Sequence, residues 1–597
     1  MCGIYGLVGA GLTPGQIEAM LADLAANMAQ RGSGARQRVC LAGAGLGAGA
    51  LAGIAPHGRR QPVHSEDETL WAVIDGALYN GRQLRRELAG RHRLAQDGDA
   101  AAVVHLYKDL GPEFPRALHG AFALALWDAR LGRLVVARDR LGEKPLYLWR
   151  GDGVLAFASE LRALTSLPAA PGEIDPLSLA GYIACGYVPG PASMVRGIDK
   201  LPPATVEVID LRLHGRQQRY WQLPLPVPAR TGDEAASAEN IARPLRRACI
   251  HAYDTADGPA GVLLSGGLDS SLIAALLAQA ERGPVQAFAL GYDGDEHSLD
   301  LAYARRVAAA LGLRLHSLTA TPRELAEAVP YLAQHLDEPC ADPTALSLAL
   351  LAQFAARDVR VVLTGAGADE LFAGYALHRA ACDALRAHPP VGPGGNPLFP
   401  FMTGLPWPLA EQLFQPALLA GLDRSRPPGW FDAGPGPQPA GDPLWQVLAA
   451  DLTGRLPEQL LAVGHRLTVA ASIQARSPYL NVDVVEAAMR CPSTHKLGPR
   501  GDKLVLRRMA RGVLPQEVTE RPKQGFPSPL LGPWFAAVVS PLWESLRAAL
   551  PAQFASLFRM GTVDWVAHQA QAGDAGLRGL LWKLVVLAAW LQARAEV

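Results

Sequence analysis

Apolar and polar positions fall into two regimes along the 597 residues. Up to about residue 210, short apolar or alternating stretches recur between Gly, Asp and Asn turns. Residues 69–74, 133–137 and 154–158 are examples, and this spacing predicts strands and a sheet-rich first domain. From about residue 240 strands and helices alternate. The pattern predicts a strand at 261–264, a helix at 271–280, a strand at 285–290 and a helix at 300–311. A strand at 314–318, helices at 322–336 and 344–356, and a strand at 359–363 follow. Alternation at this spacing implies a parallel sheet covered by helices, with a ligand beyond the carboxyl ends of its strands. The fold class read from the pattern is α/β, with domains at 1–222 and 235–597. A Pro-rich stretch, 223–230, reads as the linker. Residues 388–442, rich in Pro and Gly, read as an irregular insertion.

Composition narrows the partners. Lys plus Arg and Asp plus Glu number 56 each, so no excess charge points to nucleic acid or an anionic membrane. Seven cysteines without metal-type spacing suit a reducing, cytoplasmic compartment. No basic stretch followed by a long apolar run marks a signal peptide. The apolar run 584–591 follows Lys583 and is short for a bilayer, so it reads as a core helix anchored by Trp582 and Trp590.

Candidate chemistry concentrates where predicted strands end. After the strand closing at Leu264 the chain reads Ser265-Gly266-Gly267-Leu268-Asp269-Ser270-Ser271 and then enters a helix. Glycines allow close backbone approach and a helix start offers N–H groups to an anion, so the loop suits a pyrophosphate, with Asp269 on its magnesium. A second strand leads into Thr364-Gly365-Ala366-Gly367-Ala368-Asp369-Glu370, which places Asp369 to share a cation with Asp269. Packing turns are the alternative reading of both glycine-rich loops. Lys523, between Pro522 and Gln524-Gly525, is a candidate cation for a leaving phosphate. Lys503 and Arg507, one helical turn apart, read as a weaker pair that can simply solvate a helix face. At the start, Met1-Cys2-Gly3-Ile4 offers, once Met1 is removed, a thiol and an α-amine that can act as its base. A buried structural cysteine is the equal alternative.

In this order the motifs resemble the glutamine-dependent asparagine synthetase family, over nearly the whole chain. Further matching stretches are Tyr79-Asn80, Gly120-Ala121-Phe122, Arg138-Asp139-Arg140-Leu141-Gly142, Tyr187-Val188-Pro189-Gly190 and Lys200-Leu201-Pro202-Pro203. The resemblance implies an N-terminal-nucleophile glutaminase-like β-sandwich, then an ATP pyrophosphatase domain with a helical C-terminal part. It implies ATP and Mg2+ as cofactors. By resemblance Leu264, Ser265, Gly266, Gly267, Asp269, Ser270, Ser271 and Gly365 bind ATP or pyrophosphate. Asp269 and Asp369 hold the metal, Lys523 is the catalytic lysine, and Cys2 is the glutaminase nucleophile.

The chain departs from the family in the glutamine pocket. Ala50 stands where the family has a carboxylate-gripping arginine. Asp75-Gly76-Ala77 replaces an Asn-Gly-Glu stretch, and Arg31-Gly32-Ser33-Gly34 replaces an Arg-Gly-Pro-Asp turn, while Asp99 and Cys2 persist. Losing one oxyanion donor costs about 10²–10³ in rate. Ala366 stands where the family usually has an acid. An ATP domain beside a weakened ammonia source suggests an amine carried by the substrate itself, as in relatives that close rings. The departures therefore favour a lasso-peptide macrolactam cyclase, joining a peptide N-terminal amine to an Asp or Glu side chain. Its expected partners are a precursor peptide, a leader peptidase and a leader-binding protein. A glutamine-hydrolysing asparagine synthetase acting on a small-molecule carboxylate is the alternative, and a non-catalytic peptide-binding scaffold the third.

Overall fold

The structure, a computed structural model, describes residues 2–28, 36–50, 61–94, 98–170, 172–227, 234–256, 258–280, 283–294, 300–387, 396–402, 404–426, 441–499, 501–523 and 529–595. The chain divides into two compact units. The first comprises Met1–Glu173, Gly190–Leu223 and Ser472–Gln474, and the second Ile174–Pro189, Pro224–Ala471 and Ala475–Val597. The segment Ile174–Pro189 thus packs with the second unit although it lies inside the sequence range expected for the first.

Strands β1 (Cys2–Val8), β2 (Arg36–Leu41), β3 (Ala44–Ala50), β4 (Val63–His64), β5 (Leu70–Leu78) and β6 (Gly120–Asp128) belong to the first unit. So do β7 (Arg133–Arg138), β8 (Tyr147–Gly151), β9 (Val154–Ala158), β10 (Ile198–Lys200), β11 (Thr205–Asp210) and β12 (Gly215–Arg219). They form two six-stranded sheets, ordered β10-β8-β9-β1-β3-β2 and β12-β11-β7-β6-β5-β4. Alternation decides which side chains face where. In β1, Ile4 and Val8 join Val73, Ala125 and Leu134 in the core between the sheets. Tyr5 and Leu7 point the other way, against Ile17, Leu21 and Leu24 of the helix Pro14–Asn27. The second sheet is covered likewise by Asp99–Leu110, whose Val103 and Val104 meet Ala72, Ile74 and Leu124. The helix Pro14–Asn27 starts with a capping box, Thr13 and Gln16 serving each other's backbone N–H. Such a cap contributes about 1 kcal/mol. This is the sheet-rich domain that the pattern predicts and the β-sandwich that the resemblance implies, with a helix on the outer face of each sheet.

The second unit carries β13 (Ala260–Leu263), β14 (Gln286–Tyr292), β15 (Arg314–Ala320), β16 (Val361–Leu363) and β17 (Gln474–Arg476), in the order β15-β14-β13-β16-β17. β13 is parallel to β14 and to β16, and β14 to β15. The chain thus builds outward from β13 on one side, then returns to place β16 on the other. That reversal is a topological switch point, and it opens a crevice beyond the ends of β13 and β16.

Boundaries differ modestly from the sequence pattern. The helix expected at 271–280 runs Leu268–Ala278, its extended N-terminal boundary residue being Gly267, and the strand expected at 69–74 runs to Leu78. The segment 388–442 is less irregular than expected: Phe399–Met402, Trp407–Leu413 and Pro416–Leu419 are helical, each of the last two entered through a proline. Residues 388–395, 403 and 427–440 lie outside the described residues. Among the described residues one helix, Ala575–Ala595, is long and apolar enough to cross a membrane. Most of it is buried, and its Trp582 and Trp590 donate to the carbonyls of Ala341 (2.8 Å) and Asp337 (3.1 Å). The two tryptophans are therefore the anchors expected of a core helix.

Candidate active site

A cavity of about 290 Å³ opens at the switch point. Ser265, Gly267, Asp269 and Ser270 line it from the loop after β13, and Thr364, Gly365, Ala366 and Asp369 from the loop after β16. Leu264 also lines it; Gly266 and Ser271 do not. Gly266 instead has φ +71°, and a side chain there would collide with the backbone at Ala304. Ser271 is fully buried, with its N–H on the Gly267 carbonyl in the first helical turn.

The loop is held open by its own hydroxyls. Ser265 and Ser270 Oγ lie 3.1 Å apart, the Ser265 N–H donates to Ser270 Oγ at 3.2 Å, and the Gly267 N–H donates to Ser265 Oγ at 3.3 Å. No side chain caps the helix Leu268–Ala278. Its first N–H groups and dipole therefore favour an anion at the cavity floor.

Two carboxylates and two ammonium groups meet above this loop. Lys503 Nζ lies 2.6 Å from Asp269 Oδ2 and 2.5 Å from Asp369 Oδ1, so one cation reaches both acids. Lys523 Nζ lies 2.8 Å from Asp369 Oδ2 and 3.9 Å from Asp269 Oδ2. Burial alone pushes a carboxyl pKa up, but the two ammonium groups outweigh it and hold Asp369 well below the usual carboxylate range. For Lys523, burial pulls the other way and the attraction of Asp369 and Asp269 wins, so its ammonium is held above the ordinary lysine range. Among the described residues, Asp269 Oδ1 has no hydrogen-bond partner. Gly374 is required beside this cluster, because a side chain there would collide with the Asp369 carboxylate and with Lys503.

Lys503 does not solvate a helix face, one of the two readings that the sequence left open for it. It is 2% exposed, sits at φ +47° just before the helix Leu504–Ala510, and aims inward. A non-glycine residue in the left-handed region is uncommon, and such conformations gather at functional sites. Arg507 is likewise not a solvated partner. Its guanidinium donates to the carbonyls of Thr519 (2.7 Å) and Arg521 (2.9 Å) and so fixes the segment that presents Lys523. Arg521 ties that segment to the start of the helix Asp300–Leu311 through an ion pair with Asp300, and to the first loop through a hydrogen bond to the Gly266 carbonyl. The sequence pattern gave Arg521 no such role.

The site fits magnesium by the chemistry of its donors. Mg2+ is commonly held by one or two carboxylates, with waters and substrate phosphates completing its shell. Asp269 and Asp369, bridged by one ammonium group, form such a pair. Among the described residues no cluster of three or more His, Cys, Asp or Glu forms a metal cage.

In the first unit, Cys2 opens β1 opposite Ala50 of β3. The side chains of both, and the turn 31–34, lie outside the described residues, and with them the thiol named as nucleophile. Asp75 is fully buried, and its Oδ2 accepts the Ser159 hydroxyl at 3.2 Å. Asp99 accepts the Leu78 N–H at 2.8 Å and pairs with Arg85 at 3.1 Å.

Comparison with known proteins places both sequence regions in known families. The asparagine synthase family matches residues 241–592, and the glutamine amidotransferase domain family matches residues 1–221. The putative asparagine synthetase [glutamine-hydrolyzing] of Mycobacterium tuberculosis (strain ATCC 25618 / H37Rv) is 31% identical over 561 residues, covering 87% of this chain and 83% of the relative. Asparagine synthetase [glutamine-hydrolyzing] 1 of Bacillus subtilis (strain 168) is 27% identical over 504 residues, covering 79% and 77%. Amidase chyE of Penicillium rubens is 30% identical over 337 residues, covering 54% and 49%. With a carboxylate pair and two lysines at the switch point of one unit, and family matches running through both, the chain belongs to the asparagine synthetase family of ATP-dependent carbon–nitrogen ligases.

Proposed function

We propose that this chain uses ATP and Mg2+ to activate a carboxylate as its adenylate, releasing pyrophosphate, and then passes the acyl group to nitrogen with loss of AMP. The observation that carries this reading is the Asp269–Asp369 pair bracketed by Lys503 and Lys523 in the cavity. Ser265, Gly267 and Ser270, with the uncapped helix start, are the groups that would receive the phosphates. Asp269 and Asp369 would hold Mg2+, which when bound neutralises phosphate charge. Lys523 offers its ammonium to negative charge developing on the leaving groups.

Two sources of nitrogen are open to this chemistry. The two glutamine-hydrolysing asparagine synthetases named above support ammonia released from glutamine and a small acid such as aspartate as acceptor, with Cys2 as the nucleophile that the family resemblance implies. That support reverses the preference drawn from the sequence departures alone. The departures from the family keep the second reading, a peptide macrolactam cyclase: buried Asp75 and Ala50 stand at positions that the resemblance gives to an oxyanion amide and a carboxylate clamp, and Ala366 lines the cavity where the family usually has an acid. Intramolecular attack by a peptide amine needs no ammonia, because effective molarity is high.

The deciding experiment supplies ATP, Mg2+ and aspartate with either glutamine or ammonium, and follows pyrophosphate and asparagine in the wild-type protein and in Cys2→Ala. The first reading expects asparagine from both nitrogen donors, with only the glutamine-driven reaction lost in Cys2→Ala. Asparagine from neither donor, together with pyrophosphate release on adding a peptide with a free N-terminus and an internal Asp or Glu, would establish the cyclase. No pyrophosphate with any acid would overturn the adenylation reading itself.

A further inference from the structure

Behind the lysine and aspartate cluster lies a chain of buried charged groups that the proposed reaction does not use. Asp451 and Arg455 stand one turn apart on Asp451–Leu461, a wide π-helical segment of 11 residues that contains Pro457. Arg455 Nε and Nη2 each donate to a different oxygen of Asp451 at 2.8 Å, a two-point grip that fixes the guanidinium plane. His378 Nε2 meets Asp451 Oδ2 at 2.6 Å. From this anchor Arg455 reaches forward. Its guanidinium lies 4.6 Å from the centre of the Tyr375 ring and 3.5 Å from Glu370 Oε1. Tyr375 closes the link by donating its hydroxyl to Glu370 Oε1 at 2.9 Å. The Lys523 ammonium in turn lies 5.8 Å from the centre of the same ring.

Burying such groups is costly unless each is paired. His378 and Asp451 are fully buried, and Glu370 is 1% and Arg455 9% exposed. A hydrophobic plug would fill the same volume more cheaply. What the ionic chain supplies instead is direction. Tyr375 follows Gly374, where the backbone touches the Asp369 and Lys503 side chains, so the ring stands beside the cluster with its position set from behind. Lys523 is the partly exposed member of the cluster, its side chain 25% exposed against 2% for Lys503. It therefore has the most freedom to lose.

We propose that Arg455, braced by Asp451 and His378, is a positioning residue that holds the Tyr375 ring in place for the Lys523 ammonium. The proposal rests on the role of Lys523 in the proposed reaction, and it extends the active site to a π-helical segment far away in sequence. π-Helical turns often accompany functional sites, because the extra residue redirects side chains.

The test has a readout that needs no turnover. Brief treatment of the ligand-free protein with acetic anhydride, followed by peptide mass analysis, gives the acetylation rate of Lys523 relative to Lys108 in the first unit. Arg455→Met is expected to raise that ratio about fivefold, with Arg455→Lys in between. In the same variants pyrophosphate release should fall about tenfold in kcat, with KM for ATP within about twofold, as expected when a reacting group is misplaced while substrate binding is kept. An unchanged Lys523 ratio in folded Arg455→Met overturns the proposal. If Arg455→Met does not fold, Tyr375→Phe and Tyr375→Leu decide. The ring survives in the first and is removed in the second, so a Lys523 ratio at the wild-type value in Tyr375→Leu overturns it. Lys523→Ala separates the two claims: unimpaired pyrophosphate release there refutes the role given to Lys523, whatever the acetylation ratios show about its positioning.

Discussion

The two units bury carboxylates in different company. In the first, Asp75 accepts the Ser159 hydroxyl, and that hydroxyl accepts the Ile4 N–H at 3.1 Å, so the acid is tied into strand pairing. In the second, Asp269 and Asp369 meet the ammonium groups of Lys503 and Lys523. A hydroxyl donates a hydrogen bond but brings no compensating charge, whereas an ammonium keeps its partner ionised and can yield its place to another cation. The same side chain therefore ties a sandwich core together in one unit and, in the proposed reaction, would prepare a metal and phosphate site in the other. What faces a buried acid, more than its burial, decides which of the two it does.

The severest way to break this contrast is to remove the acid from the charged cluster. Asp269→Asn leaves Lys503 with one carboxylate and takes a candidate ligand from Mg2+. Pyrophosphate release should fall about 10³-fold or more, on the scale of other lost charge-stabilising groups. Thermal unfolding should change little by comparison, since the amide matches the carboxylate in shape. Retention of more than a tenth of the wild-type rate would show that the cluster serves structure, as Asp75 does.

The converse is to make the first unit resemble a working pocket. Asp75→Asn combined with Ala50→Arg restores an amide and a guanidinium where the family has them. Glutamate release from glutamine should rise about 10–10²-fold, because an amide N–H donor and a carboxylate clamp return where the family has them. If the double variant stays at the wild-type rate, and that rate is already high, Asp75 is compatible with glutaminase chemistry and the contrast loses its functional meaning.

How far the sequence could be read follows from the same contrast. Ser265 to Ser270 and Asp369 were legible because each follows an apolar strand directly, so strand, loop and helix order place them at one end of the sheet. Lys523 was named through the family resemblance, since Pro and Gly neighbours alone do not distinguish it from a surface lysine. Lys503 was not legible: its inward aim depends on a left-handed backbone at φ +47°, and nothing in the local pattern requires one. Nor was the chain from His378 through Asp451 and Arg455 to Glu370. Its members lie up to 85 positions apart in sequence (Glu370 to Arg455) and meet only when the second unit packs. The one local hint is an Asp and an Arg four apart within a helical stretch that also holds Thr453, Glu458 and Gln459, an arrangement that more often solvates a surface. Cys2 could be named from its place in the sequence, but its partners could not.

The smallest test uses a lysine held by carbonyls. Lys583 donates to the carbonyls of Ile183 (2.7 Å) and Ala184 (2.8 Å), closing the end of the helix Pro176–Cys185. Burial pushes its pKa down to about 8, the opposite of Lys523 among its carboxylates. The unfolded chain then binds more protons than the folded one between about pH 8 and the ordinary lysine value of 10.5, so this group's contribution to stability rises with pH across that window. Lys583→Met removes the titration and both hydrogen bonds, at a cost of about 1 kcal/mol near pH 7. The difference in Tm between wild type and Lys583→Met should therefore widen in favour of wild type from pH 7.5 to 9.5. A difference that narrows instead would mean that a carboxylate offsets the burial of Lys583, for a lysine whose folded pKa is raised loses its stabilising effect as pH climbs. The direction of that one slope asks of a buried base what Asp75 and Asp369 ask of buried acids: whether dipoles or full charges stand opposite.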